Sequence, residues 1–420
     1  MKKLFIIFFI ISVISTSKAQ IAKIFANEFP DSASSRYGIM GDYDINSNAI
    51  TNSFTTKFYT GGYIDNDLKN SVLNRIKNNN RIGGNVNSSF YAAFKLNSLG
   101  HQKNMSIFFS VRNRAHFDAS FSKDLFNIGF YGNSEYAGKT ADLSNFNLNL
   151  IRYQQIQVGI FSSKLDNAAR WGIGVSLLKG EQYLNILAKK AELFTSADGQ
   201  YINLNTELSI AMSDTAHKGI GAFNGYGASM DLFFEAPFQT RLGNSKISVS
   251  VSDIGAIRFN KQTETLNEDS AFHYSGIKIK SIYDLQNSTF GSKAKDSVIN
   301  SVAPFKKHFY SATLPSVLNF AFETQFNKHF HLIEGIRYVF NGNYNLLIYL
   351  NGNFYLNSKF ILSTTFGYGG YGTYNYGLGV SAKLIKNFVI YAGSNNIEGF
   401  IVPKKTTGQG AYISLIKKFK

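Results

Sequence analysis

The chain has 420 residues, no cysteine, 38 phenylalanines, 24 tyrosines and a formal net charge of +16. The absence of cysteine excludes disulfide bonds, thiolate metal sites and a lipid-anchored cysteine. A mean hydropathy of −0.11 is too polar for a helical membrane protein, whereas an aromatic content of 15% is high for a soluble domain. A basic chain favours phosphate-bearing lipids, anionic solutes or an acidic partner. Because the basic residues are dispersed and the chain is expected to be exported, we expect no nucleic acid partner.

The N-terminal residues have the features of a secretory signal peptide. Lysines precede an apolar run from Leu4 to Val13, and Ser17-Lys18-Ala19 before Gln20 approximates a small-x-small cleavage site. We therefore predict a signal peptide over residues 1–19 and a mature protein that leaves the cytoplasm. Residues 20–50 have no sustained alternation and are predicted to form an N-terminal arm or plug.

A short amphipathic helix is predicted over residues 65–77. Asp65 can serve as its N-cap, and the apolar residues that follow recur at helical spacing. Such a helix could plug the lumen of a barrel by resting its apolar stripe on lumen aromatics and its basic residues on lumen carboxylates. The stripe consists of Leu68, Val72, Leu73 and Ile76.

From about Arg81 onward the apolar period is two, which predicts β-strands. In residues 105–114, for example, Ile107, Phe109 and Val111 share one face and the other face is mainly polar. Because no run of eighteen apolar residues follows the signal peptide, this alternation indicates a transmembrane antiparallel β-barrel. The fold class is therefore all-β.

The number of alternating runs predicts about 14 strands, with 12 to 16 allowed by boundary errors, in a barrel over residues 51–420. A soluble β-sandwich is the main rival on periodicity alone. It would seldom combine such strands with so many exposed aromatics and so few prolines.

Turn signals divide the predicted strands. Asn327-Lys328, Asn341-Gly342-Asn343 and Asn357-Ser358-Lys359 predict short hairpin connections. Residues 261–314 instead hold a long polar passage, in which a second small helix is predicted near Asp296. Short turns on one side and long loops on the other are typical of outer-membrane barrels.

Two arginines are candidates for the lumen wall. Arg112 and Arg114 fall on the polar face of their strand, where they could attract an anionic head group or line a pore. The alternative is a structural ion pair with carboxylates such as Glu207 or Glu323, which are lumen-lining candidates themselves. Arg152 has the opposite phase, so we expect it at the membrane edge.

Metal and catalytic sites are not predicted. His329 and His331 share one face of a strand but lack a third nearby ligand, so a solvated hairpin flank is the better interpretation. No nucleophile-elbow or other catalytic motif is present, so we predict no enzyme, no catalytic residue and no cofactor. The glycines between Gly367 and Gly372 lack the lysine and serine of a phosphate loop and indicate a bent strand and turn.

Several stretches carry a resemblance to one family. The most specific runs from Tyr391 to Phe400, with Lys404-Lys405 and residues 408–411 behind it, and residues 250–257 and Thr313-Leu314-Pro315 also fit. The chain resembles the uncharacterised outer-membrane β-barrels, a domain of unknown function common in Gram-negative gliding and gut bacteria. The resemblance implies a barrel similar to the fatty-acid-transporter superfamily, which includes secretion-associated barrels, and implies no established activity.

The expected location is the outer membrane of a Gram-negative bacterium after signal-peptide cleavage. The first functional interpretation is uptake or export of small hydrophobic molecules. The alternative is a non-enzymatic accessory or docking barrel for a secretion or surface-assembly machine. Expected partners are outer-membrane lipids, a hydrophobic small molecule or a secretion-machine component. The barrel-assembly machinery is also expected, because the alternating last strand with Phe419 near its end resembles the signal that this machinery reads.

Overall fold

The computed structural model describes residues 35–162, 168–214, 216–217, 219–275, 305–384 and 387–419. The predicted signal peptide, residues 20–34 of the predicted arm and the predicted helix near Asp296 lie outside the described residues. None of the helices in the described ranges is long and apolar enough to cross a membrane.

The strands and helices follow in chain order. The strands are β1 (Arg36–Ser47), β2 (Asn79–Leu99), β3 (Gln102–Ser122), β4 (Lys139–Asp142), β5 (Phe146–Ser162), β6 (Arg170–Thr195), β7 (Ile202–Met212), β8 (Gly225–Thr240), β9 (Gly243–Phe259), β10 (Glu264–Tyr274), β11 (Lys306–Lys307), β12 (Tyr310–Thr313), β13 (Val317–Gln325), β14 (Phe330–Val339), β15 (Asn345–Tyr355), β16 (Phe360–Gly370), β17 (Tyr374–Lys383), β18 (Phe388–Asn396) and β19 (Gln409–Lys418). The helices are α1 (Asn52–Thr60), α2 (Asn66–Leu73), α3 (Lys123–Tyr131), a short 3-10 helix (Ser134–Tyr136) and α4 (Glu398–Ile401).

Fourteen of these strands form a closed antiparallel barrel, which confirms the predicted fold class. They are β1, β2, β3, β5, β6, β8, β9 and β13 to β19. β1 closes the barrel, because Gly38 lies opposite Tyr91 of β2 on one side and Ile416 of β19 on the other. Closure pairs the backbone groups of both terminal strands, as a strand in lipid requires.

β1 corrects the predicted start of the barrel at residue 51. Residues 36–47, expected to belong to an arm, form a barrel strand with outward Tyr37, Ile39 and Tyr43. Met40 on the inward face and Gly41 on the outward face interrupt the alternation of this segment. The pairing of β1 with β19 joins opposite ends of the sequence, so no local pattern indicates it.

The two ends of the barrel differ as the turn signals predicted. At one end, called here the short-turn end, tight turns join β2 to β3, β8 to β9, β13 to β14 and β15 to β16. The side chains of Asn327 and Asn357 each accept two backbone N–H groups of their turn at 2.8 to 3.0 Å. The opposite end, called the long-loop end, carries the helices and the short or accessory strands. In outer-membrane barrels, short turns face the periplasm and long loops the exterior.

The outer wall is apolar over the height of the strands. On β15, Leu346, Ile348 and Leu350 are exposed, whereas Tyr349 and Asn351 are buried on the lumen side. β14 to β19 have 9 to 11 residues each, the length that crosses a bilayer at a tilt of about 45°. An apolar exterior around a polar interior is the pattern of a lipid-embedded barrel.

Candidate functional site at the mouth of the lumen

Arg112 takes part in a buried ion pair on the lumen side of the wall. Its Nη1 lies 3.1 Å from Oδ2 of Asp231 on β8, and its Nη2 donates to Gln157 Oε1 at 2.5 Å. Gln157 Nε2 in turn donates to the same Asp231 oxygen at 2.6 Å. Arg114 Nη2 lies 3.5 Å from Oδ2 of Asp253. The two predicted arginines are therefore held by aspartates of β8 and β9.

Glu323 and Glu207, predicted with the arginines, lie in different places. Glu323 faces the lumen on β13, with Lys246 Nζ at 3.0 Å and His331 Nδ1 at 3.2 Å from its carboxylate. Glu207 lies on β7, which is not one of the barrel strands, and it pairs with exposed Lys189 at 2.8 Å. Glu207 is thus not the partner of Arg112 that we considered from the sequence.

One other sequence interpretation changes. His331 is not a solvated flank, because its ring packs on Tyr355 and contacts Glu323 inside the barrel. Arg152 has the phase of exposed Ile156, and its Nε is 3.0 Å from the fully buried carboxylate of Glu181. Its place at the membrane edge stays a prediction. Among the residues that the structure describes, no group of three or more His, Asp or Glu is arranged to hold a metal ion.

The lower part of the lumen, towards the short-turn end, contains apolar clusters. Phe108, Phe161 and Phe233 form a buried cluster with Ala93. The rings of Phe108 and Phe161 lie 6.0 Å apart. A second cluster of Val389, Tyr391 and Ile416, with Tyr91 against it, lies on β18, β19 and β2. Phenylalanine rings at inward positions are unusual for a water-filled channel, whose interior is polar.

Two turns at the long-loop end fold inward and meet the opposite wall. The turn between β14 and β15 carries Asn343, whose backbone N–H donates to Asp118 Oδ1 at 2.9 Å. The Asn343 side-chain amide donates to the same oxygen. Asp118 lies on β3, almost directly across the barrel from β14 and β15 in the strand order. The turn therefore spans the mouth of the lumen.

Asp118 also contacts several residues of the wall on its own side of the lumen. Its carboxylate is fully buried and its Oδ2 lies 2.8 Å from Nε2 of His116. His116 Nδ1 contacts Asn85 Oδ1 at 2.8 Å, and Asn149 donates to Asp118 Oδ1 at 3.4 Å. A buried carboxylate with several polar partners is stabilised only while those partners stay in place. Asp118 is therefore the residue on which the inward turn depends most.

The turn between β16 and β17 is held across the mouth in the same way. Arg81 of β2 donates from Nε to the Gly370 carbonyl and from Nη2 to the Gly372 carbonyl, both at 2.8 Å. The Tyr371 hydroxyl lies 3.4 Å from His116 Nε2, and the Tyr371 ring packs directly on Gly83. We call the contacts of both turns with Arg81, His116 and Asp118 the mouth closure.

The predicted plug helix lies near this closure. α2 begins on Asp65, whose Oδ1 accepts from the Leu68 N–H at 2.9 Å, and it ends four residues earlier than predicted. Its apolar stripe packs into a cluster with α1 and α3. The cluster contains Phe54, Val72, Phe121 and Phe126, with Leu68, Leu73 and Ile76 packed against it. α2 thus joins a helical cap at the long-loop end, and a role in gating stays a prediction.

The residues of the mouth closure were not found by sequence reasoning. Asp118 and His116 share the inward phase of Arg112 and Arg114, so the same alternation could have indicated them. Asn343 and Gly372 were recognised only as turn residues. Nothing local in a turn sequence shows that the turn folds into the lumen rather than away from it.

The family follows from one comparison. Residues 37–395 match the model of a family of unknown function, DUF5723. The chain belongs to this family. The match reaches from β1 into β18 and so covers nearly all of the described barrel of this DUF5723 chain. It confirms the predicted family.

Solved structures similar to this DUF5723 chain include outer-membrane transporters. The toluene transporter TbuX of Ralstonia pickettii is 10% identical, with a TM-score of 0.42 over 94% of this chain and 91% of that chain. A Pseudomonas aeruginosa FadL homologue is 11% identical, with a TM-score of 0.41 over 92% and 90%. The translocator domain of the autotransporter NalP of Neisseria meningitidis is 9% identical, with a TM-score of 0.35 over 91% and 88%. No curated protein sequence matches the chain. Identities this low do not indicate which molecule the chain binds.

Proposed function

We propose that this chain is a gated outer-membrane barrel that takes up or releases small hydrophobic molecules. The proposed location is the outer membrane of a Gram-negative bacterium, reached after removal of residues 1–19. The apolar outer wall supports this location, because an exposed band of this kind is stable only against lipid.

The observation that carries the proposal is the combination of a cluster of phenylalanine rings inside the lower lumen and a closed polar mouth. Phe108, Phe161 and Phe233 face inward, where a channel for ions or sugars would present polar groups. A hydrophobic solute can replace the contacts between such side chains without losing hydrogen bonds to water. A polar solute would lose its hydration beside these rings, so the cluster favours an apolar transported molecule.

Passage also requires the mouth closure to open. The contacts of Asn343 with Asp118 and of the second turn with Arg81 join separate parts of the wall at the end of the barrel away from the phenylalanine cluster. The strands that carry Asp118 and Arg81 are hydrogen-bonded to a neighbouring strand on both sides, whereas the two turns are not part of the sheet. We therefore expect opening to proceed by movement of the turns rather than of the wall.

The test is probe entry into intact cells that express the full chain. Asp118→Ala removes the acceptor of the first turn, whereas the matched control Asp67→Ala removes an exposed carboxylate of α2 at the same end of the protein. We expect Asp118→Ala to speed entry of the apolar dye 1-N-phenylnaphthylamine and Asp67→Ala to leave it unchanged.

A comparison of two probes in the same cells shows which class of molecule the barrel transports. If Asp118→Ala speeds entry of a small sugar as much as that of the dye, the lumen is an aqueous pore. The proposal that it carries hydrophobic molecules is then wrong. Outer-membrane fractionation and a different gel mobility in heated and unheated samples show that each variant is a folded barrel, because closed barrels resist detergent until boiled.

One observation favours a second candidate function, an accessory or docking barrel of a secretion or surface-assembly machine. Tyr59 and Tyr63 of the helical cap are 90% and 83% exposed, and neighbouring Phe58 is also exposed. Aromatic side chains of this kind are enriched at protein interfaces. A native pull-down from outer membranes tests this candidate. A stable large complex that is lost in Tyr59→Ala/Tyr63→Ala would favour docking over transport.

A further inference from the structure

The segment that contains α4 and the residues after it exposes an unusual run of side chains. Phe400, Ile401 and Val402 are all exposed, with Ile401 at 70%. Lys404 and Lys405 follow after Pro403 and are exposed as well. Three consecutive exposed apolar residues beside two exposed cations form an amphipathic surface. Neither the mouth closure nor the lumen accounts for it.

This segment begins at the rim of the lipid-facing wall. The Ile397 N–H donates to the Tyr376 carbonyl at 2.8 Å, which ties the start of α4 to β17. Tyr374 and Tyr376 are exposed on the outer face of that strand, and Tyr368 is exposed on the neighbouring strand β16. Tyrosines at this level are typical of the aromatic girdle at a membrane interface. The amphipathic segment therefore starts beside the tyrosines of the lipid-facing band.

The segment is held in place rather than loosely attached. Ser53 and Asn52 of α1 donate their backbone N–H groups to the carbonyls of Pro403 and Thr406 at 3.1 and 2.8 Å. Asn52 Nδ2 also donates to the Gly408 carbonyl at 2.7 Å. The backbone of the segment is thus held in place before any ligand binds, which lowers the entropy cost of binding.

A third cation lies beside the two lysines. Arg75, which follows α2, donates from Nη2 to the Lys405 carbonyl at 2.7 Å and is exposed. The carboxyl of Glu398 at the start of α4 is partly buried, and burial raises its pKa to about 7. Three cations beside one carboxyl keep the local charge positive whether or not Glu398 is ionised.

We propose that this surface binds a phosphorylated lipid of the outer leaflet. Phe400, Ile401 and Val402 would contact the acyl chains, and Lys404, Lys405 and Arg75 would contact the phosphate. Lysine and arginine clusters at a membrane surface attract anionic head groups, and an adjacent apolar run adds burial in the acyl region. The proposal rests on the outer-membrane location proposed above but is independent of any transported molecule.

Native mass spectrometry of the full mature chain in detergent tests the proposal with purified lipid A as the probe. We expect the wild type to retain lipid A and Lys404→Glu/Lys405→Glu to retain on the order of tenfold less. The matched control is Lys328→Glu/Lys359→Glu, which makes the same charge change in turns at the short-turn end and should retain lipid A as the wild type does. Ile401→Asn should weaken retention without any change in charge.

Three results would overturn the proposal. One is equal loss of lipid A in the two charge-reversal variants, because the effect would then be one of net charge alone. Another is equal retention of lipid A and a phosphate-free lipid by the wild type. The third is displacement of lipid A by millimolar inorganic phosphate, which would mean an anion site without a lipid component. Outer-membrane fractionation of the same variants tests the location separately, so a failed location and a failed lipid site give different results.

Discussion

Gly83 offers a direct way to open the mouth by a single methyl group. A Cβ at this position would lie 2.4 Å from Cε1 and 2.5 Å from Cζ of Tyr371, whereas ordinary contacts begin at 3.4 Å. In Gly83→Ala the Tyr371 ring must therefore move by about 1 Å, the difference between 3.4 and 2.4 Å. Such a shift disturbs the contact of Tyr371 with His116 and the two hydrogen bonds from Arg81 to the same turn.

The expected size of the effect follows from these three contacts. A net contribution of roughly 1 kcal/mol each gives about 3 kcal/mol, which lowers the ratio of closed to open mouths on the order of a hundredfold. Single-channel recording of the purified barrel in planar bilayers measures the open fraction. The matched control is Gly41→Ala on neighbouring β1, where the added Cβ meets only the Asn87 carbonyl at 3.9 Å. Equal open fractions in the two variants, both heat-modifiable on gels, would refute the idea that the inward turn closes the lumen.

Three further predictions follow from other contacts. Asp231→Ala removes the acceptor of hydrogen bonds from Arg112, Gln157 and the Asp253 backbone N–H. At roughly 1 kcal/mol each, their loss should lower the free energy of unfolding by about 3 kcal/mol, measured by denaturant titration in detergent, with the exposed Asp67→Ala as a control that changes little. Deletion of residues 65–77 should leave a folded barrel with higher conductance if α2 supports the closure, and unchanged conductance would place the helix outside the permeation path. Burial raises the pKa of Glu398 from 4.5 to about 7. The folded state therefore binds this proton more tightly than the unfolded state does, and the resulting stabilisation is lost as the pH rises from 4.5 through 7. Glu398→Gln should accordingly melt at a higher temperature than the wild type at pH 8 and show less change between pH 5.5 and pH 8, and parallel pH curves would contradict the assignment.

The sequence determined the architecture because strands, caps and turns depend on near neighbours. Alternation in segments such as Ile107, Phe109 and Val111 predicts a strand with one lipid face, and a chain of such strands in lipid must close on itself. The helix start at Asp65 and the turns at Asn327 and Asn357 follow from side chains that accept nearby backbone N–H groups. All of these interactions span only a few residues, so the local sequence suffices to predict them.

Only the tertiary structure decided which inward residues meet. The sequence placed Arg112 on the polar face of its strand, but the register of β5, β6 and β8 selects Asp231 as its partner rather than Glu207. The pairing of β1 with β19 and the contact of Asn343 with Asp118 join residues that are hundreds of positions apart. Such contacts depend on strand number, stagger and closure of the whole barrel, and a one-residue change in the register of one strand would move all its inward side chains to the lipid face.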